Sequence, residues 1–171
     1  MIRTNPEQSY YLEWSLNEKV ALENALAAAW CGIGALCKMK HVELNVANEP
    51  IMISAYMGVT GGVVIMRADD PFAHSSQNKQ DTRSSAHFAR FPCLDPASVQ
   101  EVHDIIPGAF ALFEEFGLTV LFLPTTRICH SKGDVTLGTI VPSKRKGEFH
   151  KDPRQYVVIP SLTPILHEKL N

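Results

Sequence analysis

Residues 17–34, NEKVALENALAAAWCGIG, are dominated by good helix formers. At ~100° per residue, Leu22, Ala25, Leu26 and Ala29 share one side of such a helix. Gly32 and Gly34 suit its C-terminus. The aromatic run YYLEWS (10–15) before it and ALCKMK (35–40) after it predict short strands. HVELNVANEPIMISAYMGV (41–59) reads as helix with a break near Asn48-Glu49-Pro50. Proline fits only the first turn of a helix, so a new helix starts there. After Gly61-Gly62, the consecutive apolar residues of VVIMRADD (63–70) predict a strand buried on both faces, as in a parallel sheet.

PFAHSSQNKQD (71–81) is a polar loop, and ARFPCLDP (89–96) a short edge strand interrupted by proline. SVQEVHDIIPGAFALFEEFG (98–117) is helical, opened by Ser98 and Glu101 at capping-box spacing. TVLFLPTTR (119–127) is a further strand. Strands alternating with helices imply βαβ units and a three-layer, doubly wound, mostly parallel α/β fold. From Ser131 the character changes: prolines, the basic run Lys144-Arg145-Lys146 and one strand-like stretch, YVVI (156–159). The chain divides into an α/β domain over 1–131 and an extended tail or interdomain connection over 132–171.

Composition narrows the function classes. The 171 residues are 45% hydrophobic and 20% charged, with a formal charge of −2. That is a globular domain without the basic footprint of a nucleic-acid or anionic-membrane binder. No apolar stretch reaches the ~18–20 residues of a membrane-spanning helix, and no signal peptide is evident. Cys31, Cys37, Cys93 and Cys129 form no C-x-x-C pair and no compact cluster with histidine, so no metal site is expected. A cytoplasmic protein with reduced thiols is the default reading.

In open parallel sheets, ligands bind beyond the carboxyl ends of the strands. The polar residues just past each strand are therefore the candidates: Glu18, His41, Asn45, and the loop bearing His74, Asn78, Gln80 and Asp81. Ser15 and Glu18 have capping-box spacing, which offers Glu18 a purely structural role. The helical wheel, however, turns Glu18 onto the side of Leu22, Ala25, Leu26 and Ala29. A carboxylate at the head of a buried face must find a partner or take a proton. His74 lacks spaced partners for a metal. Phosphate-loop and G-x-S-x-G motifs are absent.

Several runs carry a resemblance: EWSLNEKVALE (13–23), MKHVELNVA (39–47), ADDPFAHSSQNKQD (68–81), TTRICHS (125–131) and KDPRQYV (151–157). In this order they resemble the α subunit of indolepyruvate ferredoxin oxidoreductases, thiamine-diphosphate (ThDP) enzymes of the 2-oxoacid:ferredoxin oxidoreductase superfamily. The resemblance implies a pyrimidine-binding domain in which Glu18 shares a proton with the cofactor's aminopyrimidine ring. It places His41 and Asn45 near that ring or a domain interface, and His74, Asn78, Gln80 and Asp81 in a loop by the active-site cleft.

The departures set what is expected of the chain alone. The strand and G-Y-P-G-T-P-like turn that open the family's pattern are lacking, and so are the pyrophosphate and ferredoxin domains. Gly133-Asp134-Val135 is not the magnesium-binding G-D-G. Mg²⁺ would come from a pyrophosphate-domain partner, or the chain would pair as a homodimer. Iron–sulfur centres, coenzyme A and ferredoxin enter only in the full complex, so the chain alone is expected to be inactive. The alternatives are a non-catalytic ThDP-fold assembly or regulatory module, and half of a two-subunit 2-oxoacid decarboxylase.

Overall fold

A computed structural model describes residues 10–139 and 145–170. Lys144, the start of the chain and Asn171 lie outside the described residues. The first helix, α1 (Glu18–Trp30), is capped by the Asn17 side chain, which accepts from the Val20 N–H at 2.9 Å. It ends where Gly32, at φ +78°, takes the left-handed turn. There the N–H groups of Gly32 and Ile33 reach back to the carbonyls of Ala29 and Ala28, at 2.9 and 3.1 Å. The chain then enters β1 (Ala35–Lys40), a 3-10 turn (His41–Asn45) and α2 (Asn48–Met57). Pro50 lies in the first turn of α2, where its missing N–H leaves no helix bond unmade.

The remaining elements are β2 (Val63–Ala68), α3 (Arg83–Ala89), β3 (Cys93–Leu94), α4 (Val99–Phe116), β4 (Val120–Phe122), α5 (Thr126–His130), α6 (Pro153–Tyr156) and α7 (Thr163–Leu170). The four strands pair in parallel in the order β1-β2-β4-β3, with Cys37 level with Ile65 and Ile65 level with Leu121. Side-chain alternation along the strands creates two cores. Val63, Ile65 and Leu121 pack with Leu22 and Leu26 of α1, Ile51 of α2 and Ala86 of α3. On the opposite face Val64, Val120 and Phe122 pack with Ala109 of α4. This is the three-layer parallel α/β arrangement that the sequence pattern implies. Because all strands run the same way, their carboxyl ends share one edge.

Close backbone packing sets one position sharply. Gly61 passes so near the end of α1 that a Cβ there would sit 2.5 Å from the Ile33 carbonyl oxygen. Its own N–H donates to Ala29 at 2.7 Å.

Several expected elements are corrected. YYLEWS forms no strand: Glu13 accepts from the Tyr11 and Ser15 hydroxyls and from Asn24, and these local bonds replace a ladder. YVVI forms no strand either. Pro153 opens the short α6, capped by Asp152, and Tyr156 packs edge-on against Trp30 at 6.0 Å. The strand expected over 119–127 stops at Phe122, and Thr125 caps the new turn α5. The Ser98 hydroxyl accepts from Glu101, but the Glu101 carboxylate turns to the N–H of Ala97 rather than back to Ser98. Neither α3 nor α7 was expected.

The tail runs back over the domain. Thr136 bonds Gln100 of α4 at 2.8 Å, Arg145 pairs with Glu114 at 2.6 Å, and Glu148 donates to the Cys31 carbonyl at 2.8 Å. Gln155 then reaches the Met57 carbonyl, and Leu166 of α7 is buried.

Candidate functional site at the carboxyl edge of the sheet

Glu18 is the first residue of α1, and Ser15 does not pair with it as a capping box; Asn17 is the cap instead. The stripe behind it is as the wheel implies, with Leu22, Leu26 and Ala29 buried. Glu18 itself is half-buried and makes no hydrogen bond or ion pair among the described residues. Its charge acts on Cys37 in β1, whose thiol is pushed up to about 11, first by burial and second by Glu18. The carboxylate therefore lies within electrostatic reach of β1.

His41 follows β1 directly and is fully buried. Its Nε2 faces the Asn78 carbonyl oxygen at 3.4 Å, so the structure brings together two of the sequence-derived candidates. Asn45, at the end of the same turn, is exposed. His74 is exposed too, its ring 5.0 Å from that of Phe72. Gln80 is half-buried. Asp81 pairs with Arg83 at 2.7 Å, and those bonds hold its carboxyl below the usual range. Glu18 is not hydrogen-bonded to any of these.

The loop 69–82 is built by two carboxylates at the end of β2. Asp69 accepts from the Thr82 hydroxyl at 2.7 Å, fastening the start of the loop to its end. Asp70, 1% exposed, accepts from the N–H groups of His74 and Ser75 at 2.9 and 2.6 Å and from the Ser76 hydroxyl at 3.1 Å. Burial works against its charge, but these donors together with His74 outweigh it, and its carboxyl lies below the ordinary value. Lys40 Nζ adds a bond to the Ser75 carbonyl.

Sequence reasoning missed Arg67. It is 1% exposed and donates from Nη2 to the His41 carbonyl oxygen. Burial lowers its pKa to about 10, opposed by Asp69 and Glu43, so it remains a cation at neutral pH. The signal was available: in VVIMRADD, Arg67 shares the parity of Val63 and Ile65 and so must point into the same core.

A groove of about 550 Å³ between α2 and the tail is lined by Tyr56, Ile159, Pro164 and His167 and by none of the candidate residues. Among the described residues, no group of three or more His, Cys, Asp or Glu stands together as metal ligands do, and no helix is long and apolar enough to cross a membrane.

No protein-family model matches the chain. Over 165 residues, 94% of its length, the chain is 50% identical to the indolepyruvate oxidoreductase subunit IorA of Pyrococcus abyssi. The IorA subunits of Methanothermobacter thermautotrophicus and Archaeoglobus fulgidus are 46% and 44% identical over 160 and 170 residues. The chain is homologous to one part of IorA. It spans about a quarter of the length of these relatives, 26–27%. A Mycobacterium smegmatis protein assigned to the thiamin diphosphate-dependent enzymes shares the fold. The match has a TM-score of 0.58 at 16% identity, over 77% of this chain and 26% of that one. The IorA homology extends over the segments that carry Glu18, His41 and the loop 69–82.

Proposed function

We propose that the chain is the pyrimidine-binding half of a ThDP-dependent indolepyruvate or arylpyruvate ferredoxin oxidoreductase. The proposed domain covers residues 1–131, with 132–171 as its connection. The observation that carries the reading is the half-buried Glu18 carboxylate, without a hydrogen-bond partner among the described residues, at the head of a buried helical stripe within a chain 50% identical to part of IorA. A carboxyl in this position fits a heteroaromatic ring nitrogen, with which it shares a proton.

ThDP, when bound, supplies the carbanion chemistry that decarboxylates a 2-oxo acid. This chain's part is to hold a proton at the Glu18 carboxyl and to exclude water along the Leu22–Leu26 stripe. Asn45 reaches the same edge from the turn after β1, and the loop bearing His74, Asn78, Gln80 and Asp81 borders the cleft. Mg²⁺ and the diphosphate require a pyrophosphate domain from a partner. Ferredoxin, coenzyme A and iron–sulfur centres belong to the whole complex, in a cytoplasmic setting. Alone, the chain does not turn over.

Calorimetry tests this. The chain is grafted in place of the matched quarter of the P. abyssi subunit and titrated with ThDP and Mg²⁺. The graft binds, Glu18→Gln in the graft does not, and the thermal midpoint is unchanged. Equal binding by Glu18→Gln returns Glu18 to a structural role. Steady turnover of indolepyruvate by the isolated chain refutes the half-site reading.

A further inference from the structure

The 3-10 turn His41–Asn45 and the loop 69–82 follow different strands, yet two contacts in series join them. Arg67 Nη2 grips the backbone carbonyl of His41, and the His41 ring faces the Asn78 carbonyl from the other side at 3.4 Å. Both side chains are buried, Arg67 at 1% and His41 at 0% exposure.

A guanidinium is a costly choice at this position. Among the described residues its Nε and Nη1 have no hydrogen-bond partner, and neither has His41 Nδ1. Unpaired buried donors are destabilising, and a buried cation more so. An aliphatic side chain, in line with Val63 and Ile65, would pack there without that cost. What an aliphatic residue cannot do is hold the His41 carbonyl. Asp69 and Glu43 balance the charge, and both lie on the segments being joined.

We propose that Arg67 is a positioning residue that couples the two loops of the candidate site through His41, so that the loop 69–82 is held in place by the end of β1. The order of action follows from the atoms used. Arg67 acts on the backbone of residue 41, and the imidazole of residue 41 acts on the loop. The Lys40–Ser75 bond and the Asp70 cap hold the front of the loop and Asp69 fastens its end at Thr82, which leaves the stretch between them, around Asn78 and Lys79, dependent on this latch. The proposal goes beyond the cofactor reading and stands without it, because its test uses no ligand.

Exposed Lys79 makes the latch measurable by limited trypsin digestion of the full chain, with exposed Lys132 as an internal reference. Opening of a local segment sets the rate of such a cut. Arg67→Met and His41→Phe are each expected to speed the cut after Lys79 roughly tenfold, with the cut after Lys132 unchanged. Arg67→Lys keeps a donor for the His41 carbonyl and stays close to the native rate. By nitrogen-15 NMR the His41 Nε2 signal, set in the native chain by its contact with the Asn78 carbonyl, is expected to move in Arg67→Met. The proposal is overturned if Arg67→Met leaves Lys79 as protected as before. It is also overturned if Arg67→Lys behaves like Arg67→Met, or if both cuts accelerate alike. Should Arg67→Met fail to fold, His41→Phe and Arg67→Lys decide the matter by the same criteria.

Discussion

Glu18 in α1 and Cys37 in β1 are close enough for the carboxylate to act electrostatically on the thiol. Burial is the larger cause and Glu18 the second in pushing the Cys37 thiol up to about 11. Glu18→Gln therefore lowers the Cys37 pKa, and the pH at which Cys37 becomes alkylated shifts down with it. Iodoacetamide labelling read by mass spectrometry across pH 7–11 checks this. An unshifted profile would mean that the carboxylate is out of electrostatic reach of β1.

Asp70 gives the loop 69–82 a pH dependence of definite sign. Its folded-state carboxyl lies below the ordinary value, so its contribution to stability is fully present above about pH 4, the unfolded range. The contribution is lost as pH falls through the folded value. Asp70→Asn is destabilised at pH 7, and the gap in urea midpoint between it and the native chain narrows at pH 3. A gap of constant width would show that the carboxylate's charge is not what secures the loop.

The contact of Gly61 with the end of α1 is backbone against backbone, so no side chain can rotate away to admit a methyl group. Gly61→Ala is expected to cost about 1–3 kcal/mol. Gly108→Ala, where a Cβ meets nothing within 4 Å, serves as the control. Paired urea denaturation of the two variants makes the measurement.

Leu26 lies at the centre of the α1 stripe and is 1% exposed. Leu26→Ala should cost about 2–5 kcal/mol, the usual range for a cavity left in a packed core. The half-buried Ala25, truncated to Gly, should lose only about 1 kcal/mol, close to its helix-propensity cost. Similar losses in thermal or urea midpoint for both would mean that Leu26 does not fill a packed core.

Where the pattern of side chains was periodic, the fold could be read directly. ALCKMK is β1 at both ends, VVIMRADD is the doubly buried β2, and the helical stripe of Leu22, Leu26 and Ala29 is the buried side of α1. Prolines misled the reading of the tail. Pro153 and Pro164 stand in the first turns of α6 and α7, where the missing N–H costs nothing, so a proline there does not mark extended chain. YYLEWS looked like a strand because aromatic content signals fit to a pleated surface, but Glu13 offers its neighbours closer bonds.

Local chemistry along the chain was sufficient to determine a parallel α/β domain and the buried stripe of the first helix, because periodicity and helix-end signals act over a few residues. Only the tertiary structure decided that Arg67 reaches His41 and His41 reaches Asn78. That arrangement depends on which strands lie side by side, and strand order is set by burial over the whole chain rather than by any single segment.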